Sequence, residues 1–138
     1  MIALLRHIYH LPYYEFLANE ASLLRPHAMV YIVADKYQVE SLKLAASINM
    51  EGIIDAHKHL RGDAARPFID DFLEALRIIV TGTTTSDQLA RKVMVEGCVT
   101  KLESMQKHPA LLSLLEESTD LCSEIIGHLD LESGMSGA

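Results

Sequence analysis

Two helical patterns of apolar residues meet at a polar break in the stretch from His27 to Asn49. Each pattern has the i, i+3, i+4, i+7 spacing that places side chains on one face of an α-helix. The two sets of positions are Val30, Val33, Ala34 and Tyr37, and then Leu42, Ala45, Ala46 and Asn49. The pattern loses its period at Gln38–Val39, which predicts two helices that meet at an angle between Tyr37 and Glu40.

The rest of the chain shows the same helical spacing, and no segment has the alternation of a confident strand. Residues 2–9 predict a short helix that ends before Pro12, with Ile2, Leu5, Ile8 and Tyr9 on one side. Pro67 is expected to open a helix because a proline fits the first helical turn. The inward residues of that helix are predicted to be Ile69, Phe72, Leu73, Leu76 and Val80, with Gly82 ending it in a left-handed conformation.

A third region of helical spacing follows Gly82. Thr85 and Gln88 form a T-x-x-Q pattern that predicts a capped helix start. The long helix after it is expected to run through Lys107 with one inward stripe: Leu89, Val93, Met94, Gly97, Cys98, Lys101, Leu102 and Met105. Pro109 and Thr119 predict two last helices, and residues 131–138 a frayed tail. The predicted fold is all-α, an irregular array of six to eight mostly short helices.

Length and charge limit the classes of protein. The chain has 138 residues, which suits one domain, and its 49% hydrophobic content is that of a globular protein. The formal net charge of −7 argues against a nucleic-acid surface, because phosphate binding needs clustered Lys and Arg. The same charge disfavours adsorption on an anionic membrane. Nucleic acid and membrane are therefore not expected partners.

The two cysteines and the chain start indicate an intracellular protein, in cytoplasm or nucleus. Cys98 and Cys122 have no CxxC pattern, so both thiols are expected to stay free in a reducing compartment. The first apolar run contains Arg6, His7 and His10 and lacks a small-residue cleavage site, which disfavours a signal peptide. No window reaches the ~18 uncharged apolar residues of a membrane-spanning helix.

Histidines supply the candidate metal ligands. His7 and His10 are three apart and share a helix face, as a metal pair would require. Asp55, His57 and His59 offer three ligand-type groups, but alternate residues diverge on a helix. A small metal- or ligand-binding helical protein is thus the alternative function, although isolated pairs of this kind more often hold no metal.

No pattern of catalytic residues stands out, so the chain is not expected to be an enzyme or to carry a cofactor. Glycine-rich phosphate loops are absent from the sequence. Paired carboxylates such as Asp70–Asp71 and Glu116–Glu117 are expected on outward helix faces. The Arg-Gly-Asp tripeptide at residues 61–63 matches a cell-adhesion motif, but a solvated loop is the simpler interpretation. By elimination, closely spaced amphipathic helices favour a protein-binding module.

The stretch HAMVYIVADKYQVESLKLAA, residues 27–46, resembles the last helical hairpin of BTB/POZ domains, particularly a fungal group with similar A-D-K-Y segments. The preceding IALLRHIYHLPYYE is similar to the helix and turn before that hairpin. The D-F-x-x-A helix at residues 71–75 and the helices after it resemble the BACK-like region of those fungal proteins. The resemblance covers most of residues 1–130, and the ADKY segment with Leu42 is its specific part.

The resemblance implies four segments and a function. Residues 1–52 would be the C-terminal helices of a BTB/POZ core, 53–66 a linker, 67–130 a helical region and 131–138 a disordered tail. Relatives of this kind are dimerisation modules and, in many cases, substrate adaptors of cullin-RING ubiquitin ligases. The structural residues expected to fix and anchor the hairpin are Tyr31, Asp35, Lys36, Tyr37 and Leu42. Asp35 is expected either to cap the helix locally or to pair with Lys36 or Lys43.

The sequence also departs from the BTB/POZ pattern. His10-Leu11-Pro12 stands where the family has Thr-Gly, and the strand and sheet half of the core has no counterpart. That half carries the dimer surface and much of the cullin-binding surface. We therefore expect the hairpin either to pack on the C-terminal helices or to expose an apolar patch, and we expect self-association through residues 1–24, where the face of Ile2, Leu5 and Ile8 needs a partner.

Overall fold

A computed structural model describes residues 23–84, 86–105 and 108–136 of the chain. Every regular element in these ranges is a helix, and none is a strand. The predicted all-α fold is therefore confirmed.

Seven α-helices and one short 3-10 helix follow one another within the described ranges. We number the α-helices in chain order. They are α1 (Leu24–Lys36), α2 (Glu40–His57), α3 (Arg66–Gly82), α4 (Gln88–Thr100), α5 (Leu102–Met105), α6 (Pro109–Glu117) and α7 (Thr119–Ser136), with the 3-10 helix Gly62–Ala65 before α3.

The predicted bend between the first two helices lies where the apolar period breaks. Tyr37 is the C-cap of α1, and Gln38 has a φ of 59°, a left-handed conformation that is uncommon outside glycine. The Val39 amide then donates to the Ala34 carbonyl at 2.9 Å, closing the turn. The chain thus reverses within three residues, and α1 and α2 pack side by side.

The first turn of α1 is capped by a residue from another helix. Its N-cap residue, Leu23, provides no side-chain hydrogen bond. Instead the Asp71 carboxylate of α3 accepts the amides of Leu24 at 2.6 Å and Arg25 at 3.1 Å. These are amides that a helix start leaves without an intrahelical partner. Asp71 therefore fixes where α1 begins on α3, and it is not the outward carboxylate that the sequence predicted.

The hairpin of α1 and α2 packs on the C-terminal helices, the first of the two expected outcomes. Helix α1 lies against α3 and α2 lies against α4, while α7 packs on the other side of α4. One buried cluster connects these helices, and all five residues predicted to face inward from α3 belong to it. Its fully buried members include Tyr31, Leu42, Phe72 and Met94.

Several boundary and burial predictions are wrong. Tyr37 is 46% exposed, because it caps α1 beyond the last helical turn and leaves the stripe of Val30 and Ala34. Gly82 is not in a left-handed conformation; helix α3 includes it and Thr83 follows in extended backbone. Leu89 is exposed, and α4 starts after Asp87 as its N-cap residue.

Two further differences concern the C-terminal helices. The predicted long helix divides at Lys101 into α4 and α5. The last helix continues to Ser136, whereas the sequence predicted a tail from residue 131. Thr85 of the predicted capping pattern lies outside the described residues.

Candidate functional site

The residues predicted to fix the hairpin divide between core and surface. Tyr31 and Leu42 are fully buried, whereas Lys36 and Tyr37 are exposed and stack on each other, with Nζ 5.7 Å from the ring centroid. Asp35 pairs with Lys43, one of its two expected partners. Ile2, Leu5 and Ile8 lie outside the described residues.

Lys43 is the centre of a polar network that the sequence did not predict. Its Nζ lies 3.0 Å from Oδ1 of Asp35 and 3.0 Å from Oδ2 of Asp87. The Tyr31 hydroxyl donates to the other oxygen of Asp87 at 2.7 Å and accepts the Ala90 amide at 3.3 Å. The ammonium also lies 5.3 Å from the Tyr31 ring centroid, within cation–π range. The network ties α1 and α2 to the start of α4.

Charge and hydrogen bonding fix the protonation states in this network. Burial, and then the hydrogen bond to Asp87, raise the pKa of Tyr31 well above its usual value. Burial alone would lower the pKa of Lys43, but hydrogen bonds to Asp35 and Asp87 outweigh it and raise that pKa. Burial would raise the pKa of Asp87, but hydrogen bonds from Tyr31 and Lys43 hold it below its usual value. At neutral pH the network is a phenol, an ammonium and a carboxylate.

A polar cleft of about 420 Å³ opens beside this network, lined by Asp35, Glu40, Lys43, the 82–84 segment and residues 86–89. Its charged groups pair with one another: Glu40 lies 4.0 Å from Lys43, which already contacts Asp35 and Asp87. The contacts that line the cleft tie α1 and α2 to the start of α4.

Arg91 is a second buried cation that joins distant elements. Its Nη1 donates to Glu124 Oε1 of α7 at 2.8 Å, and its Nε donates to the Thr83 hydroxyl at 3.0 Å. Its Nη2 donates to the Val80 carbonyl at 3.0 Å, near the end of α3. A guanidinium suits this role because it presents several donors in a fixed plane. Arg91 thereby holds α7 and the end of α3 to α4.

Lys101, which the sequence placed on an inward stripe, is 1% exposed. Its Nζ donates to the carbonyls of Lys58 at 3.1 Å and Leu60 at 2.8 Å, in the turn that follows α2. Burial and the nearby Arg61 charge lower its pKa. A buried lysine with carbonyl acceptors is satisfied in its hydrogen bonds, so Lys101 positions the turn.

The structure gives no support to the histidine metal sites within the described residues. His57 Nδ1 donates to the Ile53 carbonyl at 2.8 Å, and its ring stacks on Phe68 at 4.9 Å between centroids. His59 and Asp55 are exposed. No group of three His, Cys, Asp or Glu residues able to hold a metal occurs in the ranges the structure describes. His7 and His10 lie outside those ranges.

The surroundings of the two cysteines and of the Arg-Gly-Asp tripeptide are structural in the described residues. Burial raises the pKa of the Cys98 thiol to about 12, so this group is not a thiolate nucleophile at neutral pH. Cys122 is half-buried and free. Arg61 donates to the carbonyls of Lys58 and Leu60, within the exposed turn before the 3-10 helix.

An open apolar groove of about 640 Å³ runs between α1 and α3. Its apolar lining comes from Met29, Ile32 and Val33 of α1 and Ile78 of α3. We call this surface the α1–α3 groove. Met29 is 48% exposed although it lies in a helix of a well-packed hairpin. Its exposed side chain lies beside the half-buried side chains of Ile32, Val33 and Ile78.

The two ends of the groove are defined by side-chain contacts. At one end Arg25 Nε lies 3.5 Å from Glu74 Oε2, a salt bridge that crosses from α1 to α3. At the other end α3 approaches α1 at Gly82, where a Cβ atom would lie 2.6 Å from Cδ1 of Ile32. The close approach at Gly82 and the Arg25–Glu74 salt bridge therefore lie at opposite ends of the groove.

The amino-acid sequence contained a signal for only part of these sites. Met29 and Ile32 widen the apolar face of α1 in the sequence, which indicated that more than one side of this helix would be covered. Asp87, Arg91 and Lys101 each have partners over thirty residues away in the chain. No local pattern predicts such pairs.

Among the described residues no helix is both long enough and apolar enough to cross a membrane. No family model matches the sequence, and no match was found among the curated proteins or the solved structures.

Proposed function

We propose that this chain is a non-enzymatic, helical protein-binding module that self-associates, and that the α1–α3 groove is part of its interaction surface. The observation that carries the proposal is the apolar lining of this groove, in which Met29 is exposed and Ile32, Val33 and Ile78 are half-buried. The polar groups described above are paired in structural ties, whereas the groove combines a concave shape with an apolar lining, which suits it to a partner.

The physical basis is the cost of leaving apolar side chains in water. Complete burial of a side chain the size of Ile or Met is worth roughly 1.5–3 kcal/mol. Met29, Ile32, Val33 and Ile78 lie together, so one apolar helix or strand can cover them in a single contact. The N-terminal residues 1–24 are the proposed self-association segment, because the helical spacing of Ile2, Leu5 and Ile8 in the sequence predicts an apolar stripe that would need a partner.

Two exposed residues provide a matched test of this surface. Met29 lies in the groove and is 48% exposed, while Leu44 lies on the outer face of α2 and is 49% exposed. Light scattering on the full chain across micromolar concentrations should show an oligomer that Met29→Glu weakens and Leu44→Glu leaves intact. A monomer at every concentration would contradict self-association, and equal effects of the two variants would contradict the role of the groove.

On the resemblance to BTB/POZ proteins, we extend the proposal to a substrate adaptor for a cullin-RING ubiquitin ligase. The support for this extension is the resemblance of the A-D-K-Y segment, together with Leu42, to the helical hairpin of those proteins. Calorimetric titration of the chain with a purified cullin N-terminal domain tests it directly. Heat of binding that Leu42→Ala reduces is the expected result, and no heat at tens of micromolar would overturn the extension.

A further inference from the structure

We infer that His108 makes the start of α6 sensitive to pH, because its imidazole ring can cap this helix only while the ring is neutral. The inference is independent of the proposed self-association, since it concerns two hydrogen bonds within one chain. His108 is the N-cap residue of α6, and its side chain lies between the Ala110 amide of that helix and the Asp70 carboxylate of α3.

The Ala110 amide depends on a side chain for its hydrogen bond. Pro109 occupies the first position of α6 and has no amide hydrogen. The amides of Leu111 and Leu112 both donate to the His108 carbonyl, at 3.1 Å and 3.2 Å. The Ala110 amide instead donates to Nδ1 of His108 at 3.1 Å. In the first turn of α6, Ala110 therefore has the amide that the cap side chain satisfies.

The two contacts of the ring determine where its proton lies. An amide N–H can only donate, so Nδ1 is the unprotonated nitrogen that accepts from Ala110. Nε2 lies 3.1 Å from Oδ1 of Asp70, and an ionised carboxylate can only accept, so Nε2 carries the hydrogen. A neutral ring with its hydrogen on Nε2 satisfies both contacts at once.

Protonation of the ring removes the cap. A protonated imidazole has two N–H donors and no acceptor, so Nδ1 would present a hydrogen to the Ala110 amide. The positive ring would also lie at a helix N-terminus, whose partial charge is already positive. The bond from Nε2 to Asp70 gains charge assistance, so the ring stays on α3 while it releases the first turn of α6. Histidine ordinarily changes its charge between about pH 5 and pH 8, the range in which the cap would be lost.

The surrounding helices carry further charged groups that have other partners. Helix α6 packs on α3 and α7. The ion pairs are Arg66–Asp63 and Arg25–Glu74 on either side of Asp70 along α3, Arg77–Glu117 between α3 and α6, and Arg91–Glu124 between α4 and α7. Asp70 is the charged group within 4 Å of the His108 ring in the ranges that the structure describes. The response of the ring to pH is therefore set by the Ala110 amide and Asp70.

Nuclear magnetic resonance of the isotope-labelled full chain between about pH 8 and pH 5.5 tests this inference. At the upper pH the ring nitrogen shifts of His108 should be those of a neutral ring with its hydrogen on Nε2. A coupling across the N–H···N hydrogen bond should then connect Nδ1 with the Ala110 amide. As the ring takes up a proton, this coupling should be lost, and the Ala110 amide proton should move upfield with the same midpoint.

His108→Asn is the matched control, because asparagine is a good N-cap residue and does not titrate. At about pH 5.5 the Ala110 amide of the wild-type chain should exchange with solvent about threefold faster, or more, than in His108→Asn, as expected for a lost cap. The Leu114 amide in the middle of α6 is the internal reference and should differ less between the two proteins. If the variant does not fold, the wild-type coupling and its loss on protonation decide alone.

Each result has a definite meaning. A coupling that is lost on protonation, with an Ala110 resonance that does not titrate in His108→Asn, supports the inference. A neutral ring with its hydrogen on Nδ1, or an Ala110 amide that is unchanged while the ring titrates, overturns it. An Ala110 amide that titrates equally in His108→Asn also overturns it, because another group would then be responsible. A ring that keeps one protonation state over the whole pH range has the same consequence.

Discussion

The Tyr31 hydroxyl donates a 2.7 Å hydrogen bond to Asp87, which lies 56 residues later in the chain. The same carboxylate holds Lys43 at 3.0 Å, so one side chain before α4 connects the helices of the hairpin. A phenol and an ammonium that share a partly buried carboxylate form charge-assisted hydrogen bonds, which are shorter and stronger than neutral ones. This contact holds the hairpin in place on the C-terminal helices.

Replacing Asp87 should loosen that attachment. Asp87→Asn removes the charge opposite Lys43 and leaves Asp35 as its remaining close partner. We expect a loss of about 1–3 kcal/mol in the free energy of unfolding, the usual cost when one partner of a buried polar pair is removed. Urea unfolding followed by circular dichroism measures it. The control is Glu40→Gln, whose side chain is 78% exposed and 4.0 Å from Lys43, with an expected change below about 0.5 kcal/mol.

Tyr31 lies within α1 and Tyr37 is its C-cap, and replacing the two residues should change stability by different amounts. Tyr31→Ala removes a fully buried ring and should cost about 3–5 kcal/mol, the range for truncation of buried aromatic residues. Tyr37→Ala removes a ring that is 46% exposed and stacks only on Lys36, so about 1 kcal/mol or less is expected. Thermal melts of both variants check this order. A larger shift for Tyr37→Ala would show that the ring is buried after all.

Stability should decrease in acid because of Asp87. Its pKa is below the usual value near 3.8 in the folded protein, so the unfolded chain binds a proton first as the pH falls. The stabilisation is therefore complete above about pH 5 and is lost as the pH falls through the lowered folded-state pKa. Urea midpoints between pH 3 and pH 7 measure this loss. In Asp87→Asn the urea midpoint should decrease less between pH 7 and pH 3. An unchanged decrease would assign the pH dependence to other carboxylates.

Two glycines inside helices should respond in opposite directions to alanine. A Cβ at Gly97 of α4 would lie 2.7 Å from Cε2 and 3.1 Å from Cζ of the buried Phe72 ring, and overpacking of this kind costs about 1–3 kcal/mol. A Cβ at Gly52 of α2 meets no atom within 4 Å, so the gain in helix propensity should stabilise by about 0.5–1 kcal/mol. Paired urea titrations give the sign of each change. Stabilisation by Gly97→Ala would mean that the Phe72 ring moves freely.

The order of the helices and most of their inward faces could be predicted from the sequence. The apolar spacing of Val30 to Ala34 and of Ile69 to Val80 arises from the geometry of the helix itself, which repeats every 3.6 residues. Pro67 and Pro109 lie in first helical turns, as expected, because the missing amide has no helical partner there. The break between Tyr37 and Glu40 was also predictable, because a bend between two helices interrupts the 3.6-residue period of the apolar side chains.

The predictions that failed concern helix ends and individual side chains near them. Tyr37 fits the apolar spacing of the sequence, but it lies one position beyond the last helical residue, so its ring is exposed to solvent. Asp71 was expected on an outward face but caps α1 across the interface with α3. Each of these positions depends on how two helices meet, and a local pattern carries no information on that.

The sequence by itself determined that this chain is a series of amphipathic helices, because helix formation depends on residues within four positions of one another. It also determined the absence of a recognisable catalytic pattern. Only the tertiary structure decided which charged groups meet, because Lys43 and Asp87 are 44 residues apart and the packing of α2 on α4 brings them together. It alone decided that an apolar groove lies between α1 and α3, since the packing of these two helices brings Met29, Ile32 and Val33 beside Ile78.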